Sequence, residues 1–321
     1  MMRMRVIDFG TVETLRSQTV WHAVCRSMGA GDAPVLSFVR PDRPYVCIGY
    51  HRDIAEVDTE YCRAGSLPVY RRMVGGGPVY CDPDQLFFQI TVPVAHLPAR
   101  RATALARLLR PAARALGRLG VDADLDAFGE ISVGPAKVCG HGAGQLGEAA
   151  TVVGNLITDF DHARATRVLR LDPDVRDVVA QLMRRYIAPT AVNPADWQAA
   201  MVAEYADHFG ADPHEDGLTD TETREVHRMD RRLLDEEYLT GTPGPVRPVR
   251  TVKVRAGVWV HVWGDEADRV VLGVADGKIE IATGREHLVG MEIDEARREL
   301  EREREAAPLV SAIRAAHAEV A

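Results

Sequence analysis

The sequence predicts an α+β protein: a mixed or antiparallel sheet flanked by helices, with a small α+β domain at the C-terminal end. Three observations carry this. Apolar residues recur at helical spacing near both ends of the first third, five short β-type runs crowd between residues 34 and 93, and composition shifts sharply near residue 219.

From Thr11 to Met28, Leu15, Trp21, Val24, Cys25 and Met28 recur at spacings near three and four. That spacing predicts an amphipathic helix ended by "GAGD". "PVLSFVR" and "PYVCIGY", punctuated by "PDRP", read as short strands, and "LPVYRRM", "GPVYC" and "QLFFQITV" follow as three more. The glycine triplet is expected to turn the chain between the first two of these. Residues 99–119 are Ala/Leu/Arg-rich with helical spacing, and Pro111 is expected to kink or split that helix. Strands are expected near "EISVG", "AKVCG" and "AATVVGNLITDF", and helices over 173–186 and 194–209. A strongly charged helical stretch starts near 219, and "TPGPVRPVR" reads as a linker. Beyond it, "TVKVRAGVWVHVWG", "RVVLGVADGKIEIAT" and two charged helical segments outline a β-meander with terminal helices. Asp276-Gly277 is its hairpin turn. The expected division is a main domain over 1–218, a charged helix and linker over 219–249, and an accessory domain over 250–321.

Composition narrows the function. A formal net charge of -8 opposes nucleic acid and anionic membrane. No apolar run approaches the roughly 18 residues of a bilayer span. The five cysteines are widely spaced, without a C-x-x-C pair, and "MMRMRVIDFG" is too short for a targeting segment. Reduced thiols and a cytoplasmic location are therefore expected. The histidines show no metal-ligand spacing, so no protein-held metal site is expected.

Chemistry concentrates in two segments. "RRMVGGGPVYCD" sets Arg71 and Arg72 before Gly75, Gly76 and Gly77. Consecutive backbone N-H groups without side chains can cradle an anion. Adjacent strand positions point to opposite faces, so one arginine can reach a ligand and the other organises the loop. Asp82 and Gln85 follow in "CDPDQL". The second segment, "EISVGPAKVCGHGAGQLGEAATVVGNLITDFD", sets Lys137 before what reads as another glycine-rich loop, Gly140, Gly142 and Gly144. Lysine is a point-charge partner for phosphate. In a strand, Cys139 would share a face with Lys137.

"RRMVGGGPVYCD" resembles the R-R-x-x-G-G-G-x-V-[FY]-H-D segment of the lipoate-protein ligase A family and the related octanoyl transferases, and "AKVCG" resembles their K-[IV]-x-G segment. The run "PYVCIGYHRDIAEVDTEYCRAGSLPVYRR" and the tail from Glu236 to about Ala306 are also similar to the family, the tail to its accessory domain. Departures are Pro78, Cys81 in place of histidine, "VCGHGAG" after Lys137, and "VVGNL" in place of a histidine-glycine-threonine signature.

The resemblance implies a catalytic domain of the class II synthetase and biotin ligase type. It implies that ATP, with Mg²⁺, activates lipoate, octanoate or a similar medium-chain acid to an acyl-AMP. The acyl group then passes to a lysine of a lipoyl carrier domain, of the 2-oxoacid dehydrogenase E2 or glycine-cleavage H-protein type. Lys137 is implied as the catalytic cation, and Arg71, Arg72, Gly75, Gly76, Gly77, Val79, Cys81, Asp82 and Gly140 as the substrate and adenylate cradle. Two alternatives stay open. An ATP-independent octanoyl transferase would use a thioester on Cys139 or Cys81, and a non-catalytic relative would keep acyl or carrier binding alone.

Overall fold

The computed structural model describes residues 2–127, 129–241, 251–264 and 268–304 of the 321-residue chain. The chain divides into two compact units, Met1–Arg170 with Arg184–Arg247, and Leu171–Met183 with Pro248–Ala321. The elements run β1 (Met2–Val12), α1 (Thr14–Ser27), β2 (Val35–Pro41), β3 (Tyr45–Ile48), α2 (Thr59–Ala64), β4 (Val69–Arg71), β5 (Val79–Cys81) and β6 (Gln85–Pro93). Then come α3 (Arg101–Arg118), β7 (Asp124–Leu125), β8 (Ile131–Val133), β9 (Ala136–Leu146), β10 (Ala149–Ile157), α4 (His162–Arg167), α5 (Pro173–Tyr186), α6 (Pro194–Phe209), β11 (Ala211–Glu215), α7 (Asp220–Leu234) and α8 (Glu236–Thr240). No helix among the described residues is long and apolar enough to cross a membrane.

In the first unit, an eight-stranded sheet has the order β11-β1-β2-β6-β10-β9-β8-β7. β1 is parallel to β11 and β2, and the remaining pairs are antiparallel. The sheet is therefore mixed, flanked by helices as the sequence predicts. Every residue of β6 is buried, which a central strand covered on both faces requires. Phe38, Phe88 and Ile90 pack with Leu109, Leu116, Trp197 and Tyr205 from α3 and α6. The alternate residues Val39 and Phe87 pack with α1, and Val226 and Leu233 of α7 close the same cluster. The period-two alternation of β2 and β6 thus feeds two separate cores.

Pro111 does not split α3, which runs unbroken from Arg101 to Arg118. Proline removes one backbone bond, while Leu108, Leu109, Ala112, Ala115 and Leu116 bury both halves against the sheet.

A second sheet, in the order β4-β3-β5, corrects the expected hairpin. β4 and β5 do not pair with each other. They flank β3, β4 in parallel and β5 antiparallel. The glycine triplet is therefore a crossover that carries the chain from one side of β3 to the other. β3 fills the place between β4 and β5, so the two strands that the triplet joins cannot pair with each other, and that nonlocal constraint decides the outcome.

In the second unit, β12 (Thr251–Arg255), β13 (Val258–Trp263), β14 (Val270–Ala275) and β15 (Lys278–Ala282) form an antiparallel meander. Asp276 and Gly277 both have positive φ in the two-residue turn joining β14 to β15, as that dipeptide favours. Val178 and Leu182 of α5 lie over Gly273. Leu288, Ala296 and Leu300 pack with Val270, Leu272 and Val274. The "TPGPVRPVR" segment and the last charged segment lie outside the described residues.

Candidate active site

The crossover from Arg72 to Pro78 is held from below by three buried side chains. Arg72 donates from Nη1 to Cys47 O at 3.0 Å and from Nη2 to Gly75 O at 2.9 Å and Gly77 O at 3.0 Å. Arg71 points the other way and donates to the carbonyls of Tyr50 at 2.9 Å and Arg52 at 2.6 Å, and to Tyr238 O at 2.9 Å and Leu239 O at 2.7 Å. Opposite pointing is what adjacent strand positions impose. Both arginines are buried, and among the described residues neither forms an ion pair. Carbonyl dipoles solvate the two guanidinium groups, and the loop keeps their positive charge.

His22 supplies the third anchor. Its Nε2 accepts from Met73 N at 2.9 Å, and its Nδ1 donates to Gln18 O at 2.6 Å. Burial holds this ring neutral, with its pKa lowered to about 3. Main-chain bonds from Arg72 N to Ile48 O and from Tyr50 N to Val74 O stitch the loop to the end of β3. A Cβ on Gly49 would collide with Gly76 O, so only glycine there lets the crossover pass. Gly76 itself has φ +107. The Cβ positions of Gly75 and Gly77 meet nothing within 4 Å, so this stretch of main chain is uncovered.

The second glycine-rich segment is not a loop. β9 runs as one strand from Ala136 to Leu146, paired with β10 from Cys139 to Leu146 and with β8 from Ala136 to Cys139. Its glycines form a bed for the crossover: a Cβ on Gly142 would stand 3.2 Å from Gly75 O, and one on Gly144 would stand 2.9 Å from Val74 Cγ1. The two glycine-rich segments therefore pack on each other, Gly142 under the Gly75 carbonyl and Gly144 under the Val74 side chain.

Lys137 lies on the same glycine face, although Cys139 does not. The β8–β9 register shifts between Ile131 and Ser132, from Ile131↔Cys139 to Ser132↔Lys137. Such a bulge breaks strict alternation and re-aims a side chain. Lys137 Nζ stands 3.8 Å from where a Cβ on Gly140 would be, and 3.4 Å from Glu130 Oε2. Cys139 turns instead into the core with Ile131, Leu116 and Tyr205. Lys137 is one of three lysines in the chain, and Lys253 and Lys278 lie in the other unit.

Both candidate thiols are out of reach. Cys139 is fully buried, and burial pushes its thiol up to about 12. Cys81 points into the core with Tyr45, Tyr70 and Phe87, and burial raises it further. Neither forms a thiolate readily in that setting. Val79, by contrast, is exposed at the end of the crossover.

Asp82 is buried beside the site, and that burial raises its carboxyl to about 6. It accepts from Asp84 N and from Gln85 Nε2, each at 3.1 Å. Gln85 Oε1 accepts from Asn155 Nδ2 at 2.7 Å, and Asn155 Oδ1 accepts from Gly140 N at 2.9 Å. Gly49, His22, Glu130 and Asn155 were given no role on the sequence alone. A cross-strand partner in β10 and a helix residue under the loop leave no local signal.

The model of the lipoyl protein ligase A/B catalytic domain matches residues 15–204, which include the crossover, β9 and Asn155. The chain belongs to this family. Members are enzymes, and a curated relative, lipoate-protein ligase A subunit 1 of Thermoplasma acidophilum, is 30% identical over 237 residues, 68% of this chain and 87% of the relative. Lipoate–protein ligase 1 of Staphylococcus aureus is 27% identical over 151 residues, 47% of this chain and 44% of the relative. Among solved structures, one from a study of a bipartite lipoate protein ligase and its E2 lipoyl domain from Thermoplasma acidophilum superposes with a TM-score of 0.70 at 24% identity. It covers 77% of this chain and 99% of that one. A lipoate-protein ligase A bound with ATP superposes with a TM-score of 0.64 at 23% identity, covering 75% and 100%. These superpositions establish the lipoate-ligase fold.

Proposed function

We propose that this enzyme activates lipoate, or a medium-chain acid like it, with ATP, and attaches it to a lysine of a lipoyl carrier domain. In the first step a carboxylate oxygen of the acid attacks the α-phosphorus of ATP, an O–P bond forms, and pyrophosphate leaves. In the second, the carrier amine attacks the acyl carbonyl, the amide forms, AMP leaves, and the amine proton passes to solvent.

One observation carries the reading: the crossover, through the main chain of Gly75, and the ammonium of Lys137 share the glycine face of β9. The loop touches that face at Gly142 and Lys137 reaches it at Gly140, two residues or about 7 Å apart along a strand. That is a fitting span for the phosphate and acyl carbonyl of an adenylate. Lys137 is assigned the developing phosphate charge, with Glu130 as its counter-ion until the anion arrives. Arg71 and Arg72 are assigned the shape and charge of the loop, through the carbonyls they hold. Fixed charges in a dry site are usually the largest catalytic contribution.

Mg²⁺ is proposed to enter with the nucleotide. Such a cation is carried mainly by phosphate oxygens. When bound it would neutralise phosphate charge. The carrier is proposed to be a lipoyl domain, in line with the archaeal ligase studied together with its E2 lipoyl domain. Chemistry is assigned to the 1–218 region, with 250–321 as an accessory domain joined through 219–249. Burial of Cys139 and Cys81 speaks against a thioester route.

Purified protein incubated with ATP, Mg²⁺ and lipoate or octanoate is expected to release pyrophosphate in an acid-dependent manner. Lys137→Ala is expected to slow this on the order of 10²–10³-fold. Absence of release with every medium-chain acid tried would overturn ATP-dependent activation.

A further inference from the structure

We propose that Gln85 and Asn155 are positioning residues for Lys137, acting through the main chain of β9 at Gly140. The inference rests on the reading of Lys137 given above and adds what holds it in place. A chain of hydrogen bonds starts at the end of β5 and crosses the eight-stranded sheet from β6 through β10 to β9. It runs from Tyr80 O and Asp82 Oδ1, which accept from Gln85 Nε2 at 3.3 and 3.1 Å, to Gln85 Oε1, which accepts from Asn155 Nδ2 at 2.7 Å. It ends at Asn155 Oδ1, which accepts from Gly140 N at 2.9 Å.

Each amide uses its oxygen and its nitrogen in opposite directions, so neither can flip without losing both links. Gln85 is 1% exposed, so no solvent competes for its bonds. Asn155 stands opposite Gly140 in the β9–β10 register, three residues beyond Lys137 and just past the bulge. A bulge interrupts the ladder and leaves the strand locally under-determined. The side chain of Asn155 supplies a fixed partner at that point. Its Oδ1 would lie 2.9 Å from a Cβ on Gly140, and Lys137 Nζ 3.8 Å from the same spot, so amide and ammonium share one small recess. Glycine at 140 leaves that recess open for both.

The test compares Asn155→Ala, Gln85→Ala and the double variant with the parent protein, in acid-dependent pyrophosphate release. Each single change is expected to lower kcat on the order of 10- to 100-fold, as small misplacements of a catalytic group do, with little change in KM for ATP or acid. The double variant is expected to be no slower than the slower single one, because the two amides form one chain. Thr151→Val removes a different buried pair on the same two strands, Thr91 Oγ1 to Thr151 Oγ1 at 3.1 Å. It is expected to leave kcat unchanged. Unchanged kcat in Asn155→Ala, or an equal loss in Thr151→Val, overturns the proposal.

A second readout does not depend on turnover. Trace acetylation of the native chain, read by peptide mass, is expected to modify Lys137 several-fold faster in Asn155→Ala than in the parent, with Lys253 and Lys278 unaffected. Equal rates at Lys137 would overturn the positioning role whether or not pyrophosphate is released. A parent protein without release, but with a faster Lys137 in the variant, would keep the positioning role and overturn only the proposed reaction.

Discussion

Asp82 ties the site to pH. Burial raises its carboxyl from 3.8 to about 6 in the folded chain, so the native state binds that proton more tightly than the unfolded state does. Its contribution to stability is fully present below about pH 4, falls as pH rises, and levels off above about 6, a swing of at most about 3 kcal/mol. Asp82→Asn keeps an acceptor for Gln85 and removes the titration. The difference in unfolding free energy between this variant and the parent is expected to grow in the variant's favour from pH 4 to 6, measured by urea melts. A difference independent of pH would show that the carboxyl titrates normally. At this scale Lys137 and the triplet Gly75–Gly77 were legible in the sequence, because charge beside glycine is a local pattern. Asn155 and His22 were not, since each acts on a residue that only the folded sheet brings to it.

Elements proved harder to read where pairing is nonlocal. The triplet was expected to close a hairpin and instead crosses β3, and the stretch holding Gly140, Gly142 and Gly144 was expected to be a loop and lies within β9. Glycine lowers strand propensity, so the sequence argues for a loop there. Pairing with β10 along the strand, and the need for a bare surface under Val74, override that preference. Helices α5 and α6, whose apolar periodicity is local, fall where the spacing places them. Gly144→Ala puts a methyl 2.9 Å from Val74 Cγ1. It is expected to cost about 1–3 kcal/mol, as overpacking does, and to weaken pyrophosphate release by lifting the crossover. Thermal melts and turnover together check this, and normal values in both would mean the crossover does not rest on β9.

For the molecule as a whole, the order of helical and strand segments pointed to the α+β class and the order of motifs to the family. The five cysteines were expected to be reduced thiols, and each is no more than 2% exposed. Iodoacetamide is therefore expected to leave the native protein unlabelled and its pyrophosphate release unchanged, with labelling appearing only on unfolding. Rapid loss of activity with one equivalent bound would reopen the thioester route.

The placement of lysine has a further consequence. An acyl-adenylate is an indiscriminate electrophile toward free amines, and an enzyme that holds one risks marking itself. In the first unit Lys137 is the single lysine side chain, and arginine takes the other basic positions, Arg71 and Arg72 among them. A guanidinium stays protonated and does not attack a carbonyl. Within that unit, stray acylation on a lysine has one address, Lys137 itself. If the proposed adenylate forms, a chain left with ATP and acid but no carrier is expected to gain acyl mass, among the lysine peptides of that unit, on the peptide that contains Lys137.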